Sequence, residues 1–130
     1  MEIGLSRTWV ITDPKESSRI AAFYTLANYT VKREQVPKIK QLPKSLIPVV
    51  LLAQMAVDTN YQGRRLGEKT LITALRQAVI LADSGLPVIG LVLDAYDEHA
   101  LAFYQRYESF SPCPDNRMRL FASIHELRLL

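Results

Sequence analysis

One stretch constrains this chain more than any other. Residues 47–58 read Ile-Pro-Val-Val-Leu-Leu-Ala-Gln-Met-Ala-Val-Asp, and residues 59–67 read Thr-Asn-Tyr-Gln-Gly-Arg-Arg-Leu-Gly. A long apolar-periodic run follows. The continuous apolar run predicts a strand covered on both faces. The loop carries Gly63 and Gly67 and feeds a helix N-terminus. Such a junction points backbone N–H groups at one spot, where the helix dipole favours a phosphate. Local features leave two readings open, a pyrophosphate cradle and a tight connection. No G-x-G-x-x-G and no Gly-Lys-Ser/Thr follow the strand.

The rest of the chain fits one domain, residues 1–130, long enough to bury a core without staples. Hydrophobic residues make up 48% and charged residues 22%, an ordinary globular balance. The net charge of +3 permits a polyanionic ligand without demanding one. Cys113 is the single cysteine, so no intrachain disulfide forms and a reducing compartment is favoured. The opening residues show no signal-peptide pattern, and the apolar stretches are too short to span a bilayer. Cytoplasm is the expected location, with no membrane partner.

Residues 7–12 and 20–31 are rich in β-formers, with turn chemistry at residues 13–18 between them. They predict an antiparallel hairpin. Residues 32–44 carry lysines, Arg33, Pro37 and Pro43, and read as an exposed loop rather than a phosphate-binding patch. A helix is predicted over 66–83, with Leu71, Leu75, Ala78, Val79 and Ala82 on one stripe. Gly85 and Pro87 end it. Residues 88–93 predict a strand parallel to the central one, since strand, helix and strand make a crossover. Asp97 is a cap for a helix over 98–107. Pro112 and Pro114 bracket a turn, and residues 118–127 predict a closing strand. The order β-β-β-α-β-α-β gives an α+β, mixed sheet. Its N-terminal strands are antiparallel, its central pair is parallel and helices flank it.

The chemistry-bearing residues are few. His99 and His125 lack the neighbours of a triad or a metal site, and no metal is expected. Cys113 lies between two prolines without an activating partner. Asp94, Asp97 and Glu98 read as a cap and a solvated turn more readily than as bases. Arg64, Arg65, Lys69 and Arg76 suit either a phosphate or a solvated helix face. Tyr104 reads locally as a half-buried core tyrosine.

At this point the residues resemble a family. Gln54-Met55-Ala56-Val57-Asp58 with Tyr61-Gln62-Gly63-Arg64-Arg65-Leu66-Gly67 resembles motif A of the GNAT acetyltransferases, Gln/Arg-x-x-Gly-x-Gly/Ala between a central strand and its helix. Ala102-Phe103-Tyr104-Gln105-Arg106-Tyr107 with Phe110 resembles the second signature of that superfamily. Ser6-Arg7-Thr8-Trp9-Val10, Phe23-Tyr24-Thr25-Leu26-Ala27, the 47–58 strand and Phe103-Tyr104-Gln105-Arg106 with Ser111-Pro112 look, more narrowly, like the acetyltransferase toxins of bacterial toxin–antitoxin modules.

The resemblance implies an acetyl-CoA-dependent N-acetyltransferase acting on the amino group of aminoacyl-tRNA. Its implied partners are acetyl-CoA, aminoacyl-tRNA, a ribbon–helix–helix antitoxin and a second copy in a homodimer. A transferase for a small amine or a protein N-terminus, and a non-catalytic GNAT-like partner-binding remnant, are the alternatives. The implied cofactor-binding residues are Met55, Ala56, Val57, Gln62, Gly63, Arg64, Arg65, Leu66, Gly67 and Phe103. Tyr104 is the implied general acid, since a phenol of pKa ~10 stays protonated at neutral pH and can donate to a thiolate. The resemblance assigns no general base.

Two departures from the family stand out. Arg65 occupies the place of the second motif glycine. A position needing φ > 0 strains arginine there, while its N–H remains and its guanidinium can pair with a phosphate. Family members also carry an N-terminal strand and helices before the Ser6 segment, where this sequence has five residues. The domain is therefore expected to lack them.

Overall fold

The computed structural model describes residues 6–37, 46–63 and 65–130. Strands β1 (Ser6–Asp13), β2 (Glu16–Val31) and β3 (Ile47–Val57) come first. Helix α1 (Leu66–Asp83), strand β4 (Gly90–Asp94) and helix α2 (Glu98–Gln105) follow. Strands β5 (Ser111–Cys113) and β6 (Asn116–Ser123) and helix α3 (Ile124–Leu127) close the chain. The sheet order is β1-β2-β3-β4-β6-β5. Only β3 and β4 run parallel, as the crossover through α1 dictates; every other neighbouring pair is antiparallel.

Strand alternation sorts the apolar residues onto two faces. Tyr24, Leu26, Val50, Leu52, Leu91, Leu93, Leu120 and Ala122 pack with Leu71, Ala74, Leu75 and Ala78 of α1, with Leu101 of α2 and with Leu127 of α3. Ala27, Val31, Val49, Leu51, Val92 and Phe121 form a smaller core on the other face. Both faces of β3 and β4 are thus covered, which explains the unbroken apolar run of the central strand. Trp9 stacks on buried Tyr24, ring centroids 5.2 Å apart at 14°, and ties the edge strand β1 to the larger core.

Three expectations need correction. Residues 32–44 do not form a wholly exposed loop. Arg33–Gln35 is a 3-10 turn, and Val36 is buried in the smaller core; the basic residues of 38–44 lie outside the described residues. The closing strand ends at Ser123 and the chain turns into α3, because the Ser123 hydroxyl accepts from the Glu126 N–H at 3.1 Å. Residues 111–113 are a short strand rather than a turn. Pro112 is tolerated there because β5 is a sheet edge. Among the described residues no helix is long and apolar enough to cross a membrane.

The functional geometry starts at a bulge. Thr25 of β2 pairs with Gln54 while Leu26 pairs with Leu52, so Ala53 is the extra residue of β3. Leu52 and Met55 consequently share a face although three positions separate them. The β3–β4 ladder covers Val50–Leu52 against Leu91–Leu93, just before the bulge. Beyond it β3 continues to Val57 with β2 alone, and the two parallel strands part.

Candidate active site

A cleft of about 610 Å³ opens where β3 leaves β4. Met55 and Val57 of β3 form its floor, with the α1 mouth (Gln62, Gly63, Arg65, Leu66, Gly67) on one side. The other wall is α2 and the turn before it: Tyr96, His99, Ala100, Phe103, Tyr104 and Arg106. A second hollow, about 520 Å³, sits beside Trp9, Leu26 and the C-terminal end of α1; among the described residues Arg7 is the only charged one that lines it. The first cleft is the one that holds the α1 mouth and Tyr104 together.

The α1 mouth is an amide cradle. The helix's first internal bond runs from Lys69 N–H to the Arg65 carbonyl at 3.1 Å. The preceding amides therefore have no acceptor within the helix and face the cleft with its positive dipole end. Arg65 provides no side-chain cap. Gly63 has φ +84, a conformation that suits glycine. Arg65 has φ +59 and ψ +20, so the residue in the place of the motif glycine does sit in the left-handed region. At Gly67 φ imposes no such demand; a Cβ there would lie 3.9 Å from the Phe103 ring, in ordinary contact.

The α2 wall is aromatic. Phe103 and Tyr104 meet edge to face at 5.2 Å, and Tyr104 meets Phe110 at 6.4 Å. The Arg106 guanidinium lies 5.1 Å from the Phe103 centroid and pairs with Glu68 at 2.8 Å, joining the two walls. Burial, and secondarily the Tyr96 phenol, push the Tyr104 hydroxyl above its usual 10.0. It stays a proton donor throughout the neutral range.

Most of the residues singled out from sequence converge here: Met55, Val57, Gln62, Gly63, Arg65, Leu66, Gly67, Phe103 and Tyr104 all line the cleft. Ala56 does not, because alternation turns its side chain to the opposite, exposed face. Its backbone alone shares the β3 edge. Arg64 lies outside the described residues. Sequence reasoning passed over Glu68, Tyr96, Ala100 and Arg106 as site residues and set His99 aside as structural or exposed; His99 is exposed, and all five line the cleft. Residues 99, 103 and 106 stand at helical spacing, a signal that could have found two of them.

The remaining candidates lie elsewhere. His125 is exposed on α3 rather than in a strand. Asp94 pairs with Arg119 at 2.7 Å, Glu98 pairs with Arg117 at 2.6 Å, and Asp97 caps α2 through the Ala100 N–H at 2.7 Å. Cys113 is buried in the smaller core, and burial pushes its thiol to about 11. Among the described residues no cluster of three or more His, Cys, Asp or Glu could hold a metal.

No family model matches the chain. A curated relative, the tRNA-acetylating toxin of Mycobacterium tuberculosis strain H37Rv, is 31% identical over 113 residues, 86% of this chain and 67% of that protein. The solved structure of AtaT complexed with acetyl-methionyl-tRNAfMet superposes with a TM-score of 0.84 at 24% identity, over 95% of this chain and 74% of that one. The crystal structure of AtaTR bound with AcCoA gives a TM-score of 0.73 at 24% identity, over 95% and 71%. With a mixed sheet that splits beside a glycine-bearing helix mouth, and a relative of that identity and coverage, this chain belongs to the GNAT-type acetyltransferase toxins.

Proposed function

We propose that this chain transfers an acetyl group from acetyl-CoA to the α-amino group of an aminoacyl-tRNA. One observation carries the reading: the parting of β3 and β4 sets an amide-lined helix mouth and a half-buried phenol on opposite sides of one cleft. The pantetheine arm lies along the open edge of Met55, Ala56 and Val57, bound like an added strand. The pyrophosphate sits on the amides of Gly63, Arg65, Leu66 and Gly67, with Arg65 as a side-chain partner, and Phe103 flanks the arm.

The neutral amine nitrogen attacks the thioester carbonyl carbon and the C–S bond breaks. Tyr104 gives its proton to the departing thiolate, and the proton lost by the amine passes to solvent. The raised phenol supports this role, because the proton is present at neutral pH. The mild positive charge suits a polyanionic acceptor, and binding then weakens with salt. An antitoxin of the ribbon–helix–helix type is the proposed protein partner. The single buried cysteine supports a cytoplasmic setting. The proposed assembly is a homodimer, which sedimentation tests.

The decisive experiment incubates the protein with labelled acetyl-CoA and charged tRNA. Label is expected on the aminoacyl group. A folded protein that labels no charged tRNA overturns the reading, and label on small amines or protein N-termini alone would assign a different acceptor.

A further inference from the structure

We propose that Asp13 and Tyr61 are a pair of positioning residues that fix, from outside the cleft, where the amides of Gly63, Arg65, Leu66 and Gly67 are presented to the pyrophosphate of acetyl-CoA. This rests on the reading of the cleft above. Asp13 ends β1 at the hairpin turn, and Tyr61 closes the 3-10 turn Thr59–Tyr61, one residue before Gln62. The Tyr61 hydroxyl donates to Oδ2 of Asp13 across 48 positions of sequence. The Lys15 N–H holds the other carboxylate oxygen at 2.8 Å. The Arg19 guanidinium lies 5.5 Å from the Tyr61 ring centroid, on the side of β2.

The backbone repeats the attachment. The Asp58 N–H donates to the Ala21 carbonyl at 2.8 Å, and the Asp58 carboxylate accepts from the Asn60 N–H at 2.8 Å. The segment before the phosphate turn is therefore hung on the β1–β2 hairpin. Neither Asp13 nor Tyr61 lines the cleft. The turn between has two positive-φ residues, Gly63 and Arg65, and a side-chain bond from Gln62 Nε2 to the Val57 carbonyl at 3.3 Å. Its direction is set by its two ends: α1 on one side and Tyr61 on the other. Loosening the Tyr61 end makes cofactor binding order the turn as well, at a cost in affinity. The proton donor sits on α2 and is untouched, so turnover is spared. The phenol and the Lys15 amide hold the Asp13 carboxyl below its usual range, so the acceptor is anionic at neutral pH.

The test is a calorimetric Kd for acetyl-CoA, with KM, kcat and a thermal melt, on Asp13→Ala, Asp13→Asn, Tyr61→Phe and the Asp13→Ala/Tyr61→Phe double variant. Asp13→Ala and Tyr61→Phe should each raise Kd and KM about five- to tenfold with kcat within about twofold. Asp13→Asn keeps an oxygen that accepts from the phenol and should return Kd to within about twofold of wild type. The double variant should bind no more weakly than the weaker single one. A lowered melting temperature with unchanged Kd, an Asp13→Asn variant as weak as Asp13→Ala, or a fall in kcat alone would overturn the pair's role. Wild-type protein that binds no acetyl-CoA would instead overturn the cleft reading, and this proposal with it.

Discussion

Glu68 and Arg106 meet across the mouth of the cleft, Oε1 accepting from Nη2 at 2.8 Å, so the first turn of α1 is tied to the end of α2. Both side chains are well exposed, 38% and 58% respectively. An exposed pair of this kind contributes about 0.2–1 kcal/mol at most. Its larger effect is electrostatic, since Glu68 places a negative charge where the pyrophosphate is proposed to sit. Glu68→Gln should leave the melting temperature nearly unchanged and tighten acetyl-CoA about two- to threefold at low salt. The gain should shrink as salt is added. Weaker binding on calorimetric titration would mean that the ion pair holds the cleft in shape.

Arg65 carries backbone strain. Among the described residues it is the one non-glycine with positive φ. Left-handed backbone costs an ordinary residue roughly 1–2 kcal/mol, and glycine's extra chain entropy returns roughly 0.5–1 of that. Arg65→Gly should therefore raise stability in urea by about 0.5–1 kcal/mol. It should also weaken acetyl-CoA about fivefold, by removing a phosphate partner. Arg65→Ala keeps the strain and loses the guanidinium, so it should share the affinity loss without the gain in stability. Equal affinity in all three proteins would reduce the residue's contribution to its N–H.

These two sites show what the sequence could and could not convey. Helix α1 was legible to its ends, because its stripe is regular and Gly85 and Pro87 stop it. The parallel pair followed from chain connectivity. The Ala53 bulge carries no residue signature, yet it sets the face of Met55 and hence the floor of the cleft. Ser123 and Glu126 spell a capping pattern, but strand formers just before them drew the reading onward into a strand. In the cleft, most of the residues carried by the motifs came together, while the Ala56 side chain was lost to strand alternation and Arg64 lies outside the described residues. Tyr96 and Glu68 bear no motif, and only three-dimensional proximity brings them in.

Gly90 opens β4 where the strand crosses β6. A Cβ there would stand 2.4 Å from the Ala122 carbonyl and 2.7 Å from the Phe121 ring. Neither can yield cheaply, since one is backbone and the other is buried at 2% exposure. Gly90→Ala should lower the urea midpoint by about 1–3 kcal/mol in stability, with an unchanged m-value. A loss below about 0.5 kcal/mol would show that β4 can slide without disturbing the split beside β3.

Tyr104 makes the sharpest chemical prediction. If its hydroxyl supplies the thiolate's proton, Tyr104→Phe should cut kcat by about 10²-fold or more, the ordinary yield of a positioned acid. The ring packing on Phe103 and Phe110 survives the change, so the Kd for acetyl-CoA should stay within about twofold. The pH profile separates this from a packing role. Burial raises the phenol above 10.0, so wild-type kcat should show no loss from Tyr104 ionisation below pH 10 and should fall only beyond it. Stability follows the same sign. The folded state holds this proton more tightly than the unfolded chain, so the tyrosine's contribution is constant below pH 10 and is lost as pH rises past it. Tyr104→Phe should remove that alkaline loss as it removes turnover. A variant with full kcat, or one whose kcat and Kd collapse together, would leave the thiolate to take its proton from elsewhere.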